Sequence, residues 1–309
     1  MSIQVTERPI NGLASIADSN GVFSIVAMDQ RNTLRRMFAA VNIEPTESDM
    51  YEAKVSVTEA LSKSASGILL DPQYGVTAIN KSNVLATRCG LLVAAENPDR
   101  GDFKGEPRPS RIASQNAAWV KNMGGQAVKY LVMMHPGRPI GAGEPDITAE
   151  TLEIVRQVVE DCREQEIPSV IENLIYQLPG DEPLTDHERE DLIVESALLL
   201  AELKPDLLKL EFPVTARGCR RIATSINIPW AVLSAGVTFE KFQEALRISC
   251  DEGGASGFIA GRSVWKETIG MNPIERKTFL EQVALPRLDA LIQATFGRAT
   301  PWTDVRAGS

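Results

Sequence analysis

The chain has 309 residues, with 32 Lys and Arg against 41 Asp and Glu, a formal net charge of −9, and 43% hydrophobic residues. A sizeable core is available, in one large domain or two small ones, while the acidic balance argues against nucleic acid or an anionic membrane as a partner. Cys89, Cys162, Cys219 and Cys250 form no CxxC pair, and His135 and His187 are the only histidines; reduced thiols in a cytoplasmic protein are expected, with no zinc site and no cofactor.

Residues 1–20 lack a basic n-region and an apolar h-region, so no signal peptide is expected. No apolar run nears the roughly 20 residues of a membrane span. Short apolar stretches then alternate with amphipathic ones. A first strand is expected over 23–29, ending in Asp29-Gln30-Arg31, and a helix over 48–62 follows Pro45. Strands over 67–70 and 90–95 run into Asp71-Pro72 and Glu96. Residues 98–109 form a polar, Pro/Gly-rich loop, followed by an expected helix over 110–123 and a strand over 127–134. A second Gly/Pro-rich loop, 135–147, precedes a helix over 148–165. Both loops are candidates for a lid or for plain surface connections. A strand over 169–174 carries Glu172, a helix spans 188–203, and a strand over 207–212 carries Lys209. The last two strands, 231–233 and 257–260, end in Ser234-Ala235-Gly236 and Gly261-Arg262, with a helix over 238–251 between them. A helical region over 273–296 is broken at Pro286, and the tail beyond Arg298 is expected to fray.

Eight strands alternating with helices predict an α/β fold, a single-domain (β/α)₈ TIM barrel over about 21–268 with a helical extension over about 272–298. An open doubly wound sheet would favour a glycine-rich turn after the first strand, where this chain has Asp-Gln-Arg-Asn.

In a barrel, reactive groups gather at the C-terminal ends of the strands. Lys129 and Lys209 stand within strands, with Glu172 on the strand between them. An ordinary lysine has a pKa near 10.4, so about one in a few thousand is neutral at neutral pH. Burial and a second cation both favour the neutral amine, a nucleophile suited to Schiff-base formation with a carbonyl. The expectation is that Lys129 assists Lys209 in this way, provided that at least one of the Glu172 and Glu211 carboxylates is offset by Lys129 or held protonated. The alternative is that the lysines are ion-paired structure.

Loops after strands seven and eight form a recurrent phosphate site in barrels, which here means the Ser234 to Thr238 turn and Gly261-Arg262. Tight-turn chemistry with Arg262 in a surface ion pair is the plainer alternative. Asp29 is read either as a partner of Lys209 or a substrate hydroxyl, or as a helix cap. Asp71, before a proline, is read as a turn or cap residue. His135 and His187 are read as loop residues.

With these residues in hand, the chain resembles the class I tagatose-1,6-bisphosphate aldolases and the related sulfofructose-phosphate aldolases, from about Gly21 to Gly270. The resemblance rests on Ala27-Met28-Asp29-Gln30-Arg31, Leu70-Asp71-Pro72-Gln73-Tyr74-Gly75, Ala127-Val128-Lys129-Tyr130-Leu131, Leu208-Lys209-Leu210-Glu211, Leu233-Ser234-Ala235-Gly236-Val237 and Ala260-Gly261-Arg262-Ser263-Val264-Trp265. It implies the barrel fold and a Schiff base on Lys209. It further implies proton transfer and substrate positioning by Asp29, Lys129 and Glu172, and an anion held by Ser234, Gly236, Gly261 and Arg262. Gln30, Arg31 and Glu211 complete the expected substrate-binding set. Arg36-Met37-Phe38-Ala39-Ala40 and Gly254-Ala255-Ser256-Gly257-Phe258 look more like the sulfo-sugar branch; Asp71 to Gly75 and Leu174-Ile175-Tyr176 look more like the tagatose branch. An arginine-rich loop of the sulfo-sugar branch is absent after the fifth strand, and His135 stands where that branch has arginine.

The expected activity is a metal-independent aldolase acting on a ketose 1-phosphate, releasing dihydroxyacetone phosphate and a three-carbon aldehyde that carries phosphate or sulfonate. Two alternatives are a phosphosugar-sensing barrel without turnover and a transaldolase-type transferase. The expected partners are the small-molecule ketose phosphate and further copies of the chain in a homo-oligomer, with no nucleic acid and no membrane.

Overall fold

Residues 12–305 are described by the structure, a computed structural model; 1–11 and 306–309 lie outside the described residues, and most of the signal-peptide reading lies there with them. Ten strands form: β1 (Phe23–Met28), β2 (Gly67–Leu70), β3 (Gly90–Ala94), β4 (Gly101–Phe103), β5 (Glu106–Arg108), β6 (Ala127–Met134), β7 (Ser169–Ile175), β8 (Leu207–Leu210), β9 (Trp230–Leu233) and β10 (Gly257–Ala260). All but β4 and β5 pair in parallel and close a barrel in the order β1-β10-β9-β8-β7-β6-β3-β2. The predicted (β/α)₈ barrel is therefore present.

Strand alternation divides the apolar residues in two. One set faces the helices. The other fills the barrel: Ile25 and Ala27, Leu69, Leu92 and Ala94, Ala127, Val170, Leu207, Ala231 and Ile259 pack together, joined from the N-terminal end by Leu13 and Ile16. Gly90 admits that plug, because a Cβ there would lie 2.2 Å from the Ser15 carbonyl oxygen. The barrel is thus closed below and open only at the C-terminal ends of its strands.

The helices are α1 (Asn32–Ala40), α2 (Glu47–Leu61), α3 (Thr77–Ser82), α4 (Ala117–Asn122), α5 (Ile147–Glu164), α6 (Asp186–Glu202), α7 (Ala216–Ser225), α8 (Phe239–Gly253), α9 (Arg262–Trp265), α10 (Pro273–Phe279) and α11 (Leu285–Thr295). Side-chain caps fix several starts: Thr46 and Thr185 form capping boxes, and Thr238 caps α8. The helix expected over 110–123 shrinks to α4 because Asn116 caps it, accepting from the Trp119 amide at 2.9 Å. Sequence reading gave no helix at α1, α3 or α7. In α7 the pattern is interrupted by Gly218, which sits where a Cβ would lie 2.3 Å from the Pro213 carbonyl oxygen. The predicted break at Pro286 takes the form of a wider π turn, Leu280–Ala284, just before α11. The described part of the tail, residues 299–305, is docked rather than frayed, the Thr300 amide donating to Ala255 O at 3.1 Å and the Trp302 amide to Gly21 O at 2.9 Å, and 306–309 lie outside the described residues.

The loop after β3 is a hairpin. Its two-residue turn, Lys104-Gly105, has φ of +52° and +88°, the left-handed pair that suits a hairpin twist. The hairpin is pinned to the loop after β6. Glu106 Oε2 accepts from Arg138 Nε at 2.7 Å and from the Tyr176 hydroxyl at 3.0 Å. Arg108 makes two bonds to Glu150, at 2.8 and 2.6 Å, and Lys104 lies 2.7 Å from Glu144. The two lid candidates are therefore fastened to each other as one fixed wall of the barrel mouth. Among the described residues no helix is long and apolar enough to cross a membrane.

Candidate active site

The site is the next inward layer above the apolar plug. Two residues beyond Ala27, Ala94, Ala127, Val170 and Leu207 stand Asp29, Glu96, Lys129, Glu172 and Lys209. A period of two carries each to the same interior as its apolar predecessor. All five line one cavity of about 330 Å³ at the barrel mouth.

Lys129 is the hub. Its ammonium lies 2.7 Å from Asp29 Oδ2, 3.1 Å from Glu96 Oε1 and 2.9 Å from Glu172 Oε2. Lys209 Nζ lies 2.9 Å from the same Glu172 Oε2. Arg31 reaches Glu96 Oε1 at 3.5 Å. Three cations thus face three carboxylates. Burial works against the Lys129 charge, but Asp29, Glu172 and Glu96 outweigh it and hold the ammonium above its ordinary range. Burial likewise opposes ionisation of Asp29, yet Lys129 and then Lys209 keep its carboxyl well below the usual carboxylate range. Glu172 is lowered in the same way, with burial overcome by Lys129 and Lys209. The sequence argument set one lysine directly against the other; the structure puts a shared carboxylate between them and locks Lys129 as a cation.

Gln30 and Arg31 also line the cavity. The Gln30 Oε1 atom is buried with no hydrogen-bond partner among the described residues. Ser234, Gly236, Gly261 and Arg262 come together at the ends of β9 and β10. Ser234 Oγ accepts from the Gly261 amide at 3.2 Å, and Arg262 Nη2 donates to Ala235 O at 3.3 Å. Ala235 and Gly236 have φ of +47° and +82°, and a Cβ on Gly236 would lie 2.9 Å from Arg262 Cζ. Backbone N–H groups in turns of the chain can form anion-binding concavities. Arg262 is the member of this group that lines the cavity.

Glu211 departs from expectation. It does not line the cavity. One carboxylate oxygen accepts from the Ile175 amide at 2.8 Å and the other is engaged by Arg189 of α6. Burial raises its pKa against the pull of both partners. Its place at the end of β8, where the chain leaves the sheet, turns it toward β7 and α6. Asp71 is the cap it was read to be, accepting from the Tyr74 and Gly75 amides at 2.8 and 3.3 Å. His135 lies in the loop after β6, but His187 belongs to the first turn of α6 rather than a loop.

Three charged residues of the cavity lining are not among the site residues expected from sequence. Glu96 was legible as the inward residue two beyond Ala94 and was noted only as a strand end. Arg36, on α1, and Arg100, before the hairpin, carried no local signal. Both line the cavity, and with Arg262 they are guanidinium groups with no carboxylate partner among the described residues. Arg36 donates to Thr33 Oγ1 at 3.0 Å, and Arg100 lies 3.2 Å from Met133 Sδ.

The sequence model of the DeoC/LacD family aldolases matches residues 23–267. The chain is 27% identical over 334 aligned positions to a tagatose 1,6-diphosphate aldolase of Lactococcus lactis, covering 97% of this chain and 99% of that one. It is 28% identical to tagatose 1,6-diphosphate aldolase 2 of Streptococcus mutans, covering 97% and 98%. Among solved structures, a Corynebacterium glutamicum protein superposes with a TM-score of 0.65 at 18% identity, covering 91% and 88% of the two chains. An archaeal fructose 1,6-bisphosphate aldolase gives 0.59 at 17%, covering 91% and 96%. These structural likenesses bear on the fold alone.

Proposed function

The chain belongs to the DeoC/LacD family of aldolases and is a lyase, and from that premise we propose that it is a class I enzyme cleaving a ketohexose 1-phosphate through a Schiff base on Lys209. The observation that carries the reading is the Lys209 amine at the cavity, 2.9 Å from the Glu172 carboxylate and flanked by a cation fixed on that same oxygen.

Glu172 takes a proton from Lys209, and the free amine adds to the C2 carbonyl. Glu172 returns that proton to the carbinolamine hydroxyl, which leaves as water and gives a protonated imine, an electron sink. Glu172 then accepts the C4 hydroxyl proton as the C3–C4 bond breaks, the bonding pair moving into the imine to give an enamine. The C4–C6 fragment leaves as an aldehyde. Protonation at C3 and hydrolysis return dihydroxyacetone phosphate and the lysine. Lys129, charged throughout, donates to substrate oxygens, keeps Asp29 ionised and favours the return of Glu172 to its carboxylate form after each transfer.

The Ser234, Gly236, Gly261 and Arg262 group receives the 1-phosphate. Arg36 and Arg100 supply cationic charge elsewhere on the cavity rim for a second anion, phosphate or sulfonate, on the aldehyde half. The names of the relatives favour tagatose 1,6-bisphosphate as the first substrate to try. The test is a parallel assay of tagatose bisphosphate, fructose bisphosphate and sulfofructose phosphate, with borohydride trapping and peptide mass spectrometry. The expected result is turnover of at least one and a reduced adduct on Lys209. A folded Lys209→Met variant that retains turnover overturns the mechanism.

A further inference from the structure

Lys54 of α2 has no place in the reaction just described, yet it is fully buried and points at the same strand end. Its ammonium donates to Met28 O at 2.6 Å and to Gln30 O at 2.9 Å, and lies 2.6 Å from Asp71 Oδ1. An ammonium has three protons to donate, and here three acceptors take them. The two carbonyls belong to the residues on either side of Asp29. The carbonyl before them, Ala27 O, is held by the Trp265 indole N–H at 3.0 Å. The end of β1 is therefore clamped from two sides where it delivers Asp29 and Gln30 to the cavity.

Burying an ion pair is a poor way to gain stability, since a well-packed apolar pair is often as good or better. A helix that had only to pack on β1 would not need a lysine. We propose that Lys54 is a positioning residue, which acts through the Met28 and Gln30 carbonyls to hold the Asp29 carboxylate on Lys129 and to aim the unpartnered Gln30 carboxamide oxygen at a substrate hydroxyl. The charge has a second effect of the same sense: Lys54 lies among the cations that lower the Asp29 pKa, after Lys129 and Lys209. The inference rests on the Schiff-base reading above, because Asp29 serves it by fixing Lys129.

The test uses the full chain and the double variant Lys54→Met/Asp71→Asn, which leaves no unpaired buried charge. Compared with Lys54→Met alone, the melting temperature recovers. The value of kcat stays roughly 10- to 100-fold below wild type, the scale of a slightly misplaced catalytic group. The acidic limb of the kcat profile moves to higher pH, because Asp29 then faces Lys129, Lys209 and Glu172 without the Lys54 charge. Of the groups that face Lys54 itself, Asp71, Asp29 and Arg31, the double variant changes Asp71 alone. Asp71→Asn alone is the companion variant: it keeps both carbonyl bonds, loses stability and keeps kcat near wild type. A double variant with wild-type kcat and an unmoved profile overturns the inference and makes Lys54 structural. So does an Asp71→Asn variant as slow as Lys54→Met. Wild-type protein that neither turns over a ketose phosphate nor traps substrate on Lys209 overturns the Schiff-base reading, and this inference with it.

Discussion

Lys129 and Lys209 meet at a single atom: each ammonium lies 2.9 Å from Oε2 of Glu172. The strands β6 and β8 flank β7, so the meeting follows from the sheet order and from all three side chains facing inward. A cation that is permanently paired and an amine that must shed its proton share one acceptor. On the proposed mechanism, Glu172 is the group through which the protons of the reaction pass.

Glu172→Gln tests that role. The carboxamide keeps the shape and still accepts a hydrogen bond, but it cannot take a proton. Turnover is expected to fall roughly 10²- to 10⁴-fold, the usual range for a general base. Borohydride trapping on Lys209 persists at long incubation. Unchanged steady-state turnover would move the proton transfer to another residue.

Lys129→Met removes the counter-charge of three carboxylates. Breaking a buried pair in this way costs about 3–5 kcal/mol. In the wild type, Asp29 and Glu172 have folded pKa values below their unfolded ones. They contribute stability above the ordinary carboxylate pKa of about 4, and that contribution is lost as pH falls through the folded values. Without Lys129 burial dominates, the folded pKa values rise, and protonation stabilises the fold. Thermal melts between neutral and acidic pH are expected to show the gap between variant and wild type widest near neutrality and narrowing on acidification. A gap that stays constant with pH contradicts this account.

On the proposed function, the arginines without a carboxylate partner divide the substrate between them. Arg262→Ala is expected to raise KM for every ketose 1-phosphate. Arg36→Ala and Arg100→Ala are expected to raise it only for substrates with an anion at the far end. A hydrogen bond to a charged group is worth about 1.5–3 kcal/mol, which corresponds to roughly 10- to 100-fold in KM. Fructose 1-phosphate against fructose 1,6-bisphosphate, or the tagatose pair, makes the comparison. Equal losses on both substrates would place those two arginines outside the second anion site.

The fixed wall of the mouth depends on Arg138, which is buried, bonded to Glu106 and stacked 5.5 Å from the Phe103 ring centre. Arg138→Ala leaves the Glu106 carboxylate with only the Tyr176 hydroxyl. The loss is expected to be local. Limited proteolysis should nick residues 101–108, and KM should rise more than kcat falls because Arg100 loses its support. Resistance to protease equal to wild type would show that the Arg108 and Lys104 pairs suffice.

The barrel was legible because its signal is repeated: eight short apolar runs alternating with amphipathic stretches. Lys129, Glu172, Lys209 and Asp29 were legible because an ion inside an apolar strand has few ordinary explanations. The same rule of alternation applied to Ala94 would have found Glu96. It misled at Glu211, because alternation holds only while the chain stays in the sheet and β8 ends at Leu210. Arg36, Arg100 and Lys54 were out of reach for a different reason. Each comes from a loop or helix whose side chains reach the mouth across the fold, and their number in the sequence says nothing about that distance.

The reactive lysines and Glu172 belong to strands hydrogen-bonded on both sides, whereas the free guanidinium groups stand on the turns and helices above them. On the proposed function, carbon–carbon chemistry and recognition of the substrate's anionic ends are therefore stored in separate compartments of the chain. Rim residues can be exchanged without disturbing the interior, so a lineage or a designer can recruit new sugars while the bond-breaking apparatus is inherited whole.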